Sequence, residues 1–316
     1  MRVPWTHSLA RRACIPTLAN GPLTSRTMLE IRPALDYLIG IDSDGCVFDS
    51  MELKHKECFI PCFIDAFGLQ GVSRYAREAA EFVNLYSKSR GCNRFLALVE
   101  QLDWLGQRPE VRQRGVMVPR LSGLEAWIAR ESKLGNPALE KTVAENGTTE
   151  LKQILAWSRA VNESIAQMVR DVPPFPSVRG CLERLSQRAD LAVVSASPTA
   201  ALTAEWREHH LDKFVQVIGG QEHGTKGEML AAAAKYPQDH VLMIGDAPGD
   251  HRAAMANGCL FYPINPGAEE ASWRRLLDEG IDRFLAGTFA GEYQVQLLAE
   301  FNEFLPELPP WPVVED

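Results

Sequence analysis

The chain has 316 residues, 46% of them hydrophobic and 23% charged, with a formal net charge of −8. This is an ordinary globular composition with room for about two domains. The acidic balance, without a basic stripe interleaved with aromatics, excludes nucleic acid as an expected partner, and no stretch approaches the roughly 18 apolar residues of a membrane-spanning helix.

Cys14, Cys46, Cys58, Cys62, Cys92, Cys181 and Cys259 are odd in number, scattered and free of Cys-x-x-Cys pairs. Neither a disulfide framework nor a zinc site is indicated, and a reducing compartment fits best. Cys58 and Cys62, four apart, read as packing residues on one helix face.

No acidic residue precedes Glu30, whereas Arg2, Arg11, Arg12 and Arg26 are basic. That pattern resembles an organelle transit peptide; the plainer reading makes Met28 the true initiator. Residues 1 to about 30 are expected to be poorly ordered in either case. A cytoplasmic location is expected, with an organelle as the alternative if residues 1–27 are a transit peptide.

The first regular element is the apolar run Tyr37-Leu38-Ile39-Gly40-Ile41, which ends in Asp42-Ser43-Asp44-Gly45. A short apolar run bounded by turn chemistry reads as a buried strand with both carboxylates at its C-terminal end. From Met51 to about Val172 the pattern is helical: 76–86, 95–102, 121–130 and 151–169 carry apolar residues at three-to-four spacing. Pro173, Pro174 and Pro176 close this insertion, because such a cluster cannot continue a helix.

Alternation follows. Helices are expected over 178–188, 199–209, 226–235 and 251–257, and strands over 191–194, 215–218, 241–244 and 259–262. This βα rhythm implies a parallel sheet. Two further helical stretches, 269–285 and 293–304, precede a Pro-rich end, with Trp273, Phe284, Phe289, Tyr293 and Trp311 expected to dock this tail on the core. The expected fold class is α/β: a Rossmann-like, doubly wound parallel sheet with an inserted all-helical cap domain. The expected division is 1–30 as an N-terminal segment, 31–50 with 173–316 as the core, and 51–172 as the cap.

Each core strand ends in polar residues: Asp42 and Asp44, Ser195 and Ser197, then Asp246 and Asp250, while Lys226 opens the helix after the 215–218 strand. Any one of these could be a turn or cap residue. Parallel strands, however, bring their C-terminal ends to one edge, so four carboxylates, a hydroxyl and an ammonium meet in one cleft. Crowded acids need a cation among them. Oxygen donors without His or Cys suit a hard divalent ion, of which Mg²⁺ pairs a few carboxylates with phosphate oxygens. Phosphoryl chemistry is the reading.

The motifs Asp42-Ser43-Asp44-Gly45 to Asp49-Ser50, Val193-Val194-Ser195-Ala196-Ser197, Lys226, and Ile244-Gly245-Asp246-Ala247-Pro248-Gly249-Asp250 resemble, in order and setting, those of the haloacid dehalogenase superfamily of phosphotransferases. The insertion falls where capped members of that family carry a helical cap. The resemblance implies Asp42 as the nucleophile forming an aspartyl-phosphate and Asp44 as general acid, then base. It implies Mg²⁺ held by Asp42, the backbone carbonyl of Asp44, Asp246 and Asp250. Ser195 would hydrogen-bond a phosphoryl oxygen and Lys226 would neutralise charge. An acid at the Asp44 position favours phosphate esters over halide or phosphonate substrates.

Substrate recognition is expected in the cap, where Lys88, Arg90 and Arg94 lie in a stretch similar to the substrate loop of sugar-phosphate enzymes of that family. Lys54 and His55 follow near the hinge, where a Schiff-base lysine is the minor alternative. From about Arg108 to Glu150 this cap is longer than is usual there. The expected activity is a Mg²⁺-dependent phosphatase for a small phosphorylated metabolite. A phosphomutase and a catalytically idle binding protein are the alternatives. Expected partners are the substrate and, at most, a second copy of the chain as a homodimer.

Overall fold

The protein is described by a computed structural model covering residues 29–313. Strand β1 is Tyr37–Ile41, β2 Ala189–Val194, β3 Val217–Gly219, β4 Val241–Gly245 and β5 Leu260–Pro263. All pair in parallel in the order β3-β2-β1-β4-β5, so the first strand lies at the centre.

Alternation along β1 serves both faces of the sheet. Leu38 packs with Met229, Met243 and Phe261 on one side, and Ile39 and Ile41 with Val178, Trp206 and Trp273 on the other. Each fully buried side chain of this size contributes about 1.5–3 kcal/mol relative to exposure. Helices cover both faces, which makes the sheet doubly wound as expected. The third strand is shorter than the sequence pattern predicts and starts two residues later. Val215 is spent in the turn after the helical turn Asp212–Phe214, where its N–H bonds to Asp212 O at 3.3 Å.

Between β1 and β2 the chain is entirely helical. The helices Ser73–Leu85, Arg94–Gly106, Ser122–Arg130, Asn136–Asn146 and Thr149–Met168 gather around Phe63, Phe95, Leu98, Trp127, Ile154 and Trp157, a core of their own without any sheet residue. The insertion opens with a continuous helix over 50–66 that is π-helical at Lys54–Phe59. Pro61 accounts for this, since it cannot donate to the carbonyl four residues back and its ring crowds that carbonyl.

Gly45 turns with φ +73° but is not where the chain leaves the core. Phe48 is still fully buried beside the sheet, and Phe175 N donates to Val47 O at 2.9 Å, tying the outgoing and returning segments together. Leu29 and Ile31, placed by the sequence reading at the edge of a poorly ordered segment, are buried in the core; the transit-like residues lie outside the described ones.

The C-terminal stretch divides its attachments. Trp273, Phe284 and Phe289 are buried on the sheet, with Tyr293 packed against them, and the helix Glu292–Phe304 seals the other face through Phe301. Trp311 does not dock on that core. It packs on the insertion, its ring 5.5 Å from Phe82 and 3.9 Å from the Arg108 guanidinium. Among the described residues no helix is long and apolar enough to cross a membrane.

Candidate active site

Register builds the site. Ile41 pairs with Val193 on one side and Ile244 on the other, so the residues that follow three adjacent strands emerge level with one another. Asp42 continues the pairing by donating its N–H to Ile244 O at 3.0 Å, and Ser195 does so to Gly219 O at 3.0 Å. Ser43, between the two acids, points the other way and accepts from Trp206 Nε1 at 3.0 Å.

Carboxylate oxygens of Asp42, Asp246 and Asp250 all lie within 4.8 Å of one another. Asp250 reaches this cluster from the first turn of the helix Pro248–Ala256, where its Oδ2 accepts the Ala247 N–H at 3.1 Å. A Cβ on Gly245 would come within 2.5 Å of the Asp250 Cβ, so only glycine lets that helix start so close under the strand. Lys226 enters from the helix Lys226–Leu230, which Thr225 and Glu228 cap reciprocally. Its Nζ stands 2.7 Å from Asp42 Oδ2 and 2.5 Å from Asp250 Oδ1.

Burial pushes the Asp42 carboxyl well above its ordinary range; Lys226 offsets part of this, and Asp250 and Asp246 add to it. Asp246 is likewise raised by burial, partly offset by Arg90. Burial alone would lower the Lys226 ammonium, but Asp250 and Asp42 push it far up. The cluster is short of positive charge, and Asp246 Oδ1 is sealed from solvent without a hydrogen-bond partner. Oxygen-only donors, an orphaned buried carboxylate oxygen and raised acids fit a hard divalent cation.

Asp44 stands apart from this cluster. Its Oδ1 accepts from Ser50 Oγ at 2.5 Å and from Lys54 Nζ, and its Oδ2 from Ser197 Oγ at 2.5 Å. Burial works to raise this carboxyl, yet Lys54 and the two hydroxyls together hold it below its ordinary value. Lys54 is therefore an ion-paired residue, not a free amine suited to a Schiff base. Ser195 is buried, and its Oγ accepts the Ser197 N–H at 3.3 Å.

The three basic residues expected to bind substrate diverge. Lys88 Nζ donates to Asn302 Oδ1 in the C-terminal helix. Arg90, 3% exposed, reaches out of the insertion to Asp246 and also donates to Leu85 O at 2.9 Å. Arg94 contacts Ser158, Asn162 and Phe59 within the insertion.

Sequence reasoning missed the brace on Asp44. Ser50 and Lys54 are four apart, hence on one face of the helix after Asp49, and that spacing was the available signal. It also missed Glu205, which burial, with a smaller push from Asp44, raises to about 7.

A family sequence model described as haloacid dehalogenase-like hydrolase matches residues 125–263, which hold Ser195, Lys226, Asp246 and Asp250 but not Asp42. A phosphoglycolate phosphatase of Aliivibrio fischeri is 32% identical over 101 residues, 29% of this chain and 44% of that protein, so the match spans less than half the relative's length. Similar solved structures include a putative phosphoglycolate phosphatase from Lactobacillus delbrueckii subsp. bulgaricus, with TM-score 0.44 and 16% identity over 76% of this chain and 91% of that one. Another is a putative beta-phosphoglucomutase from Thermotoga maritima, with TM-score 0.40 and 14% identity over 78% and 99% of the two chains. The family match thus takes in the second half of the core with three of the four motifs, and β1 delivers the first motif to the same cleft.

Proposed function

We propose that the protein is a Mg²⁺-dependent phosphatase that hydrolyses a small phosphorylated metabolite through an aspartyl-phosphate on Asp42. The observation that carries this reading is the division of labour among the acids. Asp42, Asp246 and Asp250 form a buried cluster bridged by Lys226, while Asp44 is held separately by three donors.

Asp42, Asp246 and Asp250 would hold the cation, with the Asp44 carbonyl completing the set; when bound, it withdraws negative charge from the phosphoryl oxygens. Asp42 attacks phosphorus with one carboxylate oxygen as the ester bond breaks. Lys226 stands against that carboxylate and neutralises charge that would otherwise repel the substrate. Ser50, Lys54 and Ser197 hold Asp44 as a carboxylate in the resting site, so as general acid it first takes up a proton when substrate binds, passes it to the leaving oxygen and then takes one back from the attacking water. Ser195 holds a phosphoryl oxygen. The insertion shields the cleft while the intermediate exists.

The test is phosphate release across a panel of phosphorylated metabolites with and without Mg²⁺, with Asp42→Asn as the control. Metal-dependent release that vanishes in the variant is expected. Isomerised substrate without net release would indicate a phosphomutase, and binding without turnover of any ester would indicate an idle member of the fold.

A further inference from the structure

Outside the aspartate cluster, a cleft of about 570 Å³ opens where the insertion meets the C-terminal tail. Phe82 and Tyr86 line it from the end of the helix Ser73–Leu85, and Phe304 and Trp311 line it from the tail. The only charged groups in the lining are two carboxylates, Glu78 and Glu81; no lysine or arginine shares it.

The two acids are not equivalent. Glu78 is held from outside the cleft by Arg74 at 3.0 Å and Arg108 at 2.5 Å. Glu81 has no hydrogen bond or ion pair among the described residues: Arg77, one helical turn before it, does not reach it, and Lys56 is spent on Glu52. Burial raises the Glu81 carboxyl; Lys56 offsets part of this, and Glu52 adds to it. The rings carry the matching preference. The Arg108 guanidinium stands 3.9 Å from the centre of Trp311 and Lys56 Nζ 5.6 Å from the centre of Tyr86, whereas no cation of the described residues stands over Phe82 or Phe304. Aromatic faces beside an acid attract a cation that sheds its water easily. A metal ion would find one free carboxylate here, too few oxygens to replace its hydration shell.

We propose that this cleft is a binding site for an organic cation with an apolar body, a substituted ammonium whose charge lies against Glu81 and the ring faces. Its hydrocarbon part fills the space between insertion and tail, so the ligand touches both. The site is separate from the aspartate cluster and does not depend on the reaction carried out there. A seam that is merely wet would take a neutral alcohol of the same shape as readily as the cation.

Calorimetry on the full chain tests this, with Mg²⁺ present throughout so that the aspartate cluster is not what is read. Choline is compared with 3,3-dimethylbutan-1-ol, which has carbon in place of the nitrogen, and benzyltrimethylammonium with benzyl alcohol. At least one cation is expected to bind about tenfold or more tightly than its neutral counterpart. The same cation should slow proteolytic cleavage between 73 and 113, because it joins the two sides of the cleft. Glu81→Gln should cut the affinity ratio to below about threefold. Phe304→Leu, which keeps the apolar volume and removes the ring face, should weaken the cation more than the alcohol. Both positions are partly exposed, so both variants are expected to fold. No binding of either cation, equal affinity for the neutral counterparts, or a preference that survives both substitutions overturns the site. So does a dimer that Leu308→Glu dissociates, since Leu308, 61% exposed in the lining, would then belong to a contact with a second copy.

Discussion

Arg90, carried by the insertion, sets Nε and Nη2 each 2.7 Å from Oδ2 of Asp246 at the end of β4, while Oδ1 of the same carboxylate is buried with no partner. Half of that carboxylate is thus occupied by a protein cation and half is open to another. Removing the arginine while keeping the acid leaves a buried charge short of compensation, at a cost of about 3–5 kcal/mol. Arg90→Met is therefore expected to melt several degrees lower without metal and to gain more from added Mg²⁺ than the wild type does. Thermal scans at graded Mg²⁺ check this; equal gains in both proteins would show that the guanidinium and the ion do not compete.

Lys226 is the only side chain placed between Asp42 and Asp250 by the ion pairs of the described residues. Lys226→Met should lower phosphate release by at least about 10²-fold, the scale of losing one preorganised charge at a reacting centre. Circular dichroism with Mg²⁺ present should show a folded protein. Near-normal turnover would mean that the lysine only balances charge in the resting site.

Two buried groups tilt stability with pH in opposite directions. His55, whose ordinary value is 6.5, is depressed to about 3 by burial and by neighbouring cations. The native state binds fewer protons there, so the stability present above 6.5 is lost as pH falls toward 3. Glu205 is raised from 4.5 to about 7 by burial, so the native state binds more protons and stability is lost as pH rises across that window. Urea unfolding of His55→Gln should show a flatter acid loss than the wild type, and Glu205→Gln a smaller loss between pH 5 and about 7. Unchanged slopes in both would refute these assignments.

Trp311 joins an aromatic edge contact with Phe82 to a guanidinium stacked at 3.9 Å. Trp311→Ala should destabilise the insertion by about 1–3 kcal/mol. Limited proteolysis should find cleavage between 73 and 113 accelerated while the sheet stays protected.

The sheet was legible because its signals are local. Apolar runs ended by Asp, Ser and Gly mark strands and their C-terminal ends without knowledge of the partners, which singles out Asp42, Ser195, Asp246 and Asp250, whereas Lys226, at a helix start, and the role of each residue came with the family resemblance. What the insertion does with its charges was not legible in the same way. Lys88, Arg90 and Arg94 look alike along the chain, yet they meet Asn302, Asp246 and Ser158. Those partners lie 64 to 214 residues away, and nothing near them in sequence foretells the pairing. Trp311 misled for the same reason: a large aromatic announces burial but not against which surface.

The far end of the chain alters the mechanics of the insertion. Two strands of backbone alone would leave it free to swing about the line joining them, like a leaf on two pins. Lys88 N, however, bonds to Pro306 O at 3.3 Å, and beyond it Trp311 sits on Phe82, while Phe301 and Leu305 remain anchored beside the sheet. This third fastening restrains the swing, so access to Asp42 by a hinge motion requires the segment from Pro306 to Trp311 to slide or let go. The rate at which ligand enters would then be set by the tail, far along the sequence from every residue that performs chemistry.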